Sequence, residues 1–177
     1  MITLEKKKLT YEDINRLPEG SYEIIDGEIR HMAPSGFEHG KFEYKIASFL
    51  EKNLKDKGYI SVGEVGILIS KDPLRIRGAD VVYISKKKVK EEPKGILEVP
   101  PDLIIEIISP NNTISEMEEK IEDYFSIGVP RVILVDPQTR KVFIHKKGSN
   151  EIKVAGFDQE IQFVDGVKSS IDSIING

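Results

Sequence analysis

The run Leu103-Ile104-Ile105-Glu106-Ile107-Ile108, with Pro100-Pro101 before it and Pro110 soon after, limits the fold of this chain more than any other segment. A short, almost unbroken apolar stretch between prolines reads as a β-strand covered on both faces, which requires packed layers above and below a sheet. Glu106 is the exception inside it. An ionised carboxylate in such surroundings costs several kcal/mol unless a cation, a metal ion or hydrogen-bond donors meet it. Two readings are open: Glu106 lies near the strand's end and pairs with a lysine or arginine, or it belongs to a site. Ala79-Asp80-Val81-Val82-Tyr83-Ile84 repeats the pattern, with an acid at the head of an apolar strand that is either satisfied by a turn or set beside Glu106. Two carboxylates on neighbouring central strands offer the oxygen ligation that Mg²⁺ or Mn²⁺ prefers, water and substrate phosphate completing the shell.

The rest of the chain supplies the layers. Asp26-Gly27 between Tyr22-Glu23-Ile24-Ile25 and Glu28-Ile29-Arg30-His31-Met32 predicts a two-residue hairpin. From Phe37 to Lys57 the residues Phe42, Ile46, Phe49, Leu50 and Leu54 recur at helical spacing until Gly58 ends the run. Tyr59 to Ser70 and Arg75 to Ile84 read as strands joined at Lys71-Asp72-Pro73. Thr113 and Glu116 form a capping box for a second helix, with Ile114, Met117, Ile121, Tyr124 and Phe125 as its stripe and Gly128 and Pro130 as its close. Arg131 to Asp136 is another central strand, followed by a turn at Pro137-Gln138-Thr139 and a strand from Lys141 to His145. A short strand near Glu160–Val164 and a weak amphipathic segment, Ser169–Ile175, complete the tail. The expected fold is α/β with a mixed sheet: an N-terminal β-hairpin, then helix, three strands, helix and strand, in one domain over residues 1–177.

Five further positions bear on chemistry. At about 100° per residue, Lys120 stands about 40° from Tyr124 and about 60° from Met117, at the margin of the second helix's buried stripe. It either snorkels outward or points its ammonium at Glu106. Glu116, one turn earlier, sits farther toward solvent and serves capping and the helix dipole. His39 and Glu43 are spaced i and i+4 on the inward arc of the first helix, where they reach one ion or one phosphate oxygen, or else hydrogen-bond to each other. Glu64 stands among glycines in Val62-Gly63-Glu64-Val65-Gly66.

Composition removes alternatives. The absence of cysteine excludes disulfides, thiolate zinc sites, iron–sulfur clusters and cysteine nucleophiles. No glycine-rich phosphate loop, dinucleotide fingerprint or nucleophile elbow occurs, and none of His31, His39 and His145 makes a pair at zinc-helix spacing. No apolar run approaches the roughly 20 residues of a membrane span, and Met1 to Lys8 lacks the apolar core of a secretory leader, so the expectation is a cytoplasmic protein with no membrane partner. The formal net charge of −4 argues against an all-round basic coat for nucleic acid. Lys86, Lys87, Lys88, Lys90 and Lys94 make either a local basic patch or a solvated loop.

The order of elements, with an acid opening one strand, a second acid in the next and a lysine nearby, resembles the PD-(D/E)xK nuclease superfamily, the restriction-endonuclease-like fold. More narrowly, Ser21–Gly27 (SYEIIDG), His39, Arg77–Ile84 (RGADVVYI), Pro101–Pro110 (PDLIIEIISP) and Glu116–Pro137 (EMEEKIEDYFSIGVPRVILVDP) are similar to a bacterial family of restriction-endonuclease domains of the Uma-two type. By this resemblance Asp80 and Glu106 are the metal-holding acids and catalytic together with Lys120. The motif's usual lysine position is Ile108 here, so the role passes to Lys120 on the following helix, and Ala79 replaces the motif's proline. His39, Glu43, Glu64 and Glu116 support the site or touch substrate phosphate. The resemblance implies Mg²⁺- or Mn²⁺-dependent hydrolysis of phosphodiester bonds, with DNA as partner and a homodimer as the assembly. An inactive nucleic-acid-binding or assembly protein on the same scaffold is the alternative.

Overall fold

The computed structural model describes residues 8–177. The N-terminal run read for a leader therefore lies outside the described residues, apart from Lys8. A single 3-10 turn, Tyr11–Arg16, precedes the hairpin of β1 (Tyr22–Ile25) and β2 (Glu28–His31). Asp26 and Gly27 both take positive φ, 53° and 80°, as a primed two-residue turn demands. Then come α1 (Phe37–Leu54), β3 (Gly58–Lys71), β4 (Leu74–Ser85), β5 (Leu103–Ile107), α2 (Ile114–Ile127), β6 (Arg131–Asp136) and β7 (Lys141–Lys146). β8 (Lys153–Gly156), β9 (Ile161–Val164), β10 (Val167–Ser169) and α3 (Ile171–Asn176) close the chain. The predicted order stands. β8, β10 and the 3-10 turn escaped sequence reading because each is short and carries no long periodic pattern. Ile114, read as part of the α2 stripe, is 79% exposed, and Phe125 is only partly buried. As the first residue of α2, Ile114 lies beyond the reach of the sheet.

Eight strands form one sheet in the order β2-β1-β4-β5-β6-β7-β8, with β3 paired to the other edge of β4. Among the strands of the described residues only β5 and β6 pair in parallel, joined through α2. The apolar run is covered on both faces. Leu103, Ile105 and Ile107 pack in one cluster with Phe42, Ile46, Leu50 and Leu54 of α1, while Ile104 packs with Met117, Ile121 and Tyr124 of α2. The alternation of a strand thus assigns Glu106 to the α2 side. The tail seals the α1 side, where Phe163 meets Phe49 with ring centroids 5.4 Å apart.

One irregularity positions everything that follows. β4 pairs with β3 along its length, but its other edge is shared: β1 takes Ile76 and β5 takes Val81 to Tyr83. Residues 77–80 therefore lie in a split between two strands. Side chains from elsewhere occupy it. The Gly78 N–H donates to Glu23 Oε1 (3.1 Å), the Tyr124 hydroxyl oxygen lies 3.3 Å from the Gly78 carbonyl, and the Ile107 N–H donates to Asp80 Oδ2 (2.7 Å). Across β4, the register shifts between Val62 and Val65, so that Gly63 and Glu64 bulge opposite Asp80.

Candidate active site

The split is the floor of a cleft of about 520 Å³, walled by residues 30–36 on one side and by residues 107–112 and the first turns of α2 on the other. Asp80 and Glu106 lie on this floor, each 3% exposed. The two acids expected to act together are engaged by different neighbours. Asp80 Oδ1 lies 3.2 Å from His39 Nε2, which is also 3.2 Å from Glu43 Oε1. Glu106 accepts from Lys120 Nζ at 3.0 Å through one oxygen and from the Tyr124 hydroxyl at 2.6 Å through the other.

Lys120 thus turns inward. A second carboxylate adds to the pull of Glu106: Glu23 of β1 stands 3.5 Å from the ammonium and is held by Arg77, 2.8 Å away, and by the Gly78 N–H. Arg77 in turn contacts Asp123 of α2. A lysine at the edge of a stripe gives up water for two carboxylates, which together offset its desolvation. Burial works against its charge, but Glu106, Glu23 and Asp80 outweigh that and raise its pKa above the ordinary value.

The acids respond in kind. Burial pushes Glu106 up to about 8 despite the opposing pull of Lys120 and Tyr124, and it pushes Glu64 up to about 7. Glu64 reaches the cleft because the bulge places it at φ 58°, a left-handed conformation, next to Gly63 at φ 85°. Its carboxylate lies against Gly78, where any Cβ would collide with it, and its Oε2 has no hydrogen-bond partner. The carboxylates of Asp80 and Glu43 push His39 up to about 10.

The residues present suit a divalent cation. His39, Glu43 and Asp80 each offer an atom within 4.8 Å of the others, and neither ring nitrogen of His39 has an aligned hydrogen-bond partner although both are buried. Around them Glu23, Glu64 and Glu106 share the cleft with Lys120 and Arg77 on the floor and Arg30 on the wall, fewer cations than acids, leaving negative charge for an ion to neutralise. Imidazole and carboxylate together lie within the range of Mn²⁺ and Mg²⁺, the imidazole leaning toward the former.

Of the residues singled out by sequence, Asp80, Glu106, Lys120, His39, Glu43 and Glu64 converge. Glu116 stays at the rim, its carboxylate occupied by the Thr113 N–H and hydroxyl in the capping box. None of Lys86, Lys87, Lys88, Lys90 and Lys94 lines the cleft, and Lys88 is tied to Pro100 and Pro101 at the far end of β5. Sequence reading missed Glu23 and Arg77. Glu23 interrupts the apolar side of a hairpin strand, the one signal that could have found it.

The fold and the cleft define a restriction-endonuclease-like protein. The profile of the Uma2 family, described as "Putative restriction endonuclease", matches residues 10–170, and the chain belongs to that family. The fold is also that of a solved structure from Anabaena variabilis, described as a putative nuclease belonging to DUF820. The two superpose with a TM-score of 0.79 at 19% identity, over 95% of this chain and 98% of that one. No curated protein matches. Among the described residues no helix is long and apolar enough to cross a membrane.

Proposed function

We propose that this protein is a metal-dependent endonuclease that hydrolyses phosphodiester bonds in DNA. The observation that carries the reading is the His39–Glu43–Asp80 donor set beside the Glu106–Lys120 pair on the floor of one cleft. His39, Glu43 and Asp80 would hold the ion, and Glu106, expected to share it with Asp80, is the second acid of the site and is engaged by Lys120 and Tyr124. Mg²⁺ or Mn²⁺, when bound, polarises the phosphate and lowers the pKa of an attacking water.

The chain's own groups do the rest. Lys120 presents its ammonium where charge develops on the phosphate, and it is kept protonated by Glu106 and Glu23. Tyr124 fixes one oxygen of Glu106 so that the other stays with the lysine. The Ile107 N–H locks Asp80 in orientation, so that Oδ1 faces His39 and the cleft. Cutting both strands of a duplex calls for two such sites, so a homodimer in the cytoplasm is part of the proposal.

Cleavage of plasmid and oligonucleotide DNA with Mg²⁺, with Mn²⁺ and with chelator is the test. Asp80→Asn, Glu106→Gln and Lys120→Ala are each expected to reduce the rate by at least a hundredfold. Three variants cutting at the wild-type rate would sink the assignment.

A further inference from the structure

We propose that the outer face of α1 is the track on which a nucleic-acid backbone lies as it enters the cleft. The proposal rests on the nuclease reading and names what that reading leaves open, the surface that attracts an anionic substrate to an acidic site.

Phe37, Lys41, Tyr44, Ser48, Lys52 and Lys55 recur every three or four positions, which places them in one line along the helix opposite the buried Phe42, Ile46 and Leu50. All six are exposed, Phe37 by 91% and Tyr44 by 67%. Lys45 borders the line. Among the described residues none of Lys41, Lys45, Lys52 and Lys55 is in an ion pair, so their charge is available to a partner. Glu38 and Glu51 flank the stripe without breaking it.

An exposed helix face that alternates lysines with large aromatics matches a polyanion carrying flat bases: lysines replace the counterions of phosphates, and aromatic rings stack on unpaired bases. A solubilising face has no use for Phe37. The stripe is continuous with the site, because Phe37 follows cleft-lining Gly36 and precedes His39 by two residues. The opposite wall cannot share the task. α2 carries Glu116, Glu118 and Glu122 on its exposed side, and its one basic residue, Lys120, is turned inward. Charge therefore steers a strand to the α1 side of the cleft and away from α2.

Fluorescence anisotropy of a labelled DNA 24-mer, single-stranded and duplex, measured in chelator from low to moderate salt, tests this without cleavage. Joint replacement Lys41→Ala, Lys45→Ala and Lys52→Ala is expected to weaken binding by at least tenfold. The salt slope should flatten by about 0.9 per lysine on duplex and about 0.7 on single strands. Phe37→Ala with Tyr44→Ala should weaken single-strand binding roughly tenfold. Four of the five positions are exposed and Lys45 is half-buried at the edge of the line, so melting temperatures should barely move. Lys86→Ala, Lys87→Ala and Lys90→Ala together should bind like wild type. Wild-type affinity and slope in the α1 variants, a loss confined to the Lys86–Lys90 set, or no DNA binding by the parent protein would each overturn the proposal. Because binding is read apart from turnover, α1-dependent binding without cleavage would keep this inference and remove the hydrolase, whereas Asp80-dependent cleavage with unchanged α1 variants would do the reverse.

Discussion

α1 and α2 cover opposite faces of one sheet and both send side chains into the same cleft, yet they divide their charges in opposite ways. α1 turns His39 and Glu43 inward and keeps its lysines outside. α2 turns its single lysine inward and leaves Glu116, Glu118 and Glu122 outside, while Asp123 pairs with Arg77 beneath the helix. The contrast separates two jobs that a net charge of −4 conceals. Buried charges are set by their immediate partners, since desolvation punishes any that lack one. Exposed charges act over a Debye length and shape approach.

Replacing the inward lysine of α2 should break the contrast most. Lys120→Ala is expected to reduce turnover by a hundredfold or more while DNA affinity stays within a few fold, and single-turnover kinetics beside anisotropy measure the two. If affinity and turnover fell together, Lys120 would be a binding lysine like those of α1.

On α1 the expected effect is smaller and concerns the ion. His39→Ala should weaken Mn²⁺ binding at least tenfold by titration calorimetry. Asp80 and Glu43 raise His39 to about 10 in the metal-free protein, so binding must displace a proton. Affinity should accordingly rise with pH between about 6.5 and 10, by up to tenfold per pH step of one. A pH-independent affinity in that window would place the imidazole outside the ligand set.

The smallest effect is on stability. Glu64 ionises near 4.5 when unfolded and is raised to about 7 when folded, mainly by burial. The folded state therefore loses stability as pH climbs from 4.5 through 7, and the loss is complete above that. Glu64→Gln should melt a few degrees higher than the parent protein at pH 8 and equally at pH 4.5. A pH-independent difference would mean that the gain comes from packing or from the strained φ, and not from the charge.

Much of this could be read along the chain. Helical arithmetic put His39 and Glu43 on the inward arc, and the Asp-Gly turn and the α2 capping box formed where local chemistry requires them. The direction of Lys120, given its role by resemblance, could not be read from periodicity, because at the margin of a stripe either direction suits the helix. That direction is set by Glu106 together with Glu23, which reaches the split only because β1 pairs with β4 beside β5. Glu23 itself looked like an ordinary hairpin residue for the same reason. The lysine cluster that stood out in the sequence, Lys86 to Lys94, lies away from the cleft, while the α1 lysines gained meaning only when the acidic face of α2 was set against them.

By itself the sequence determined the covered strand and the requirement that something meet Glu106, because both follow from the cost of exposing apolar surface and of burying a bare charge. Only the tertiary structure decided what meets it. Lys120 and Tyr124 come from another element, and the divergence of β1 and β5 from β4 opens the space in which they, Asp80 and His39 gather. Contacts between residues distant in the chain depend on how strands pair, and local pattern does not record that pairing.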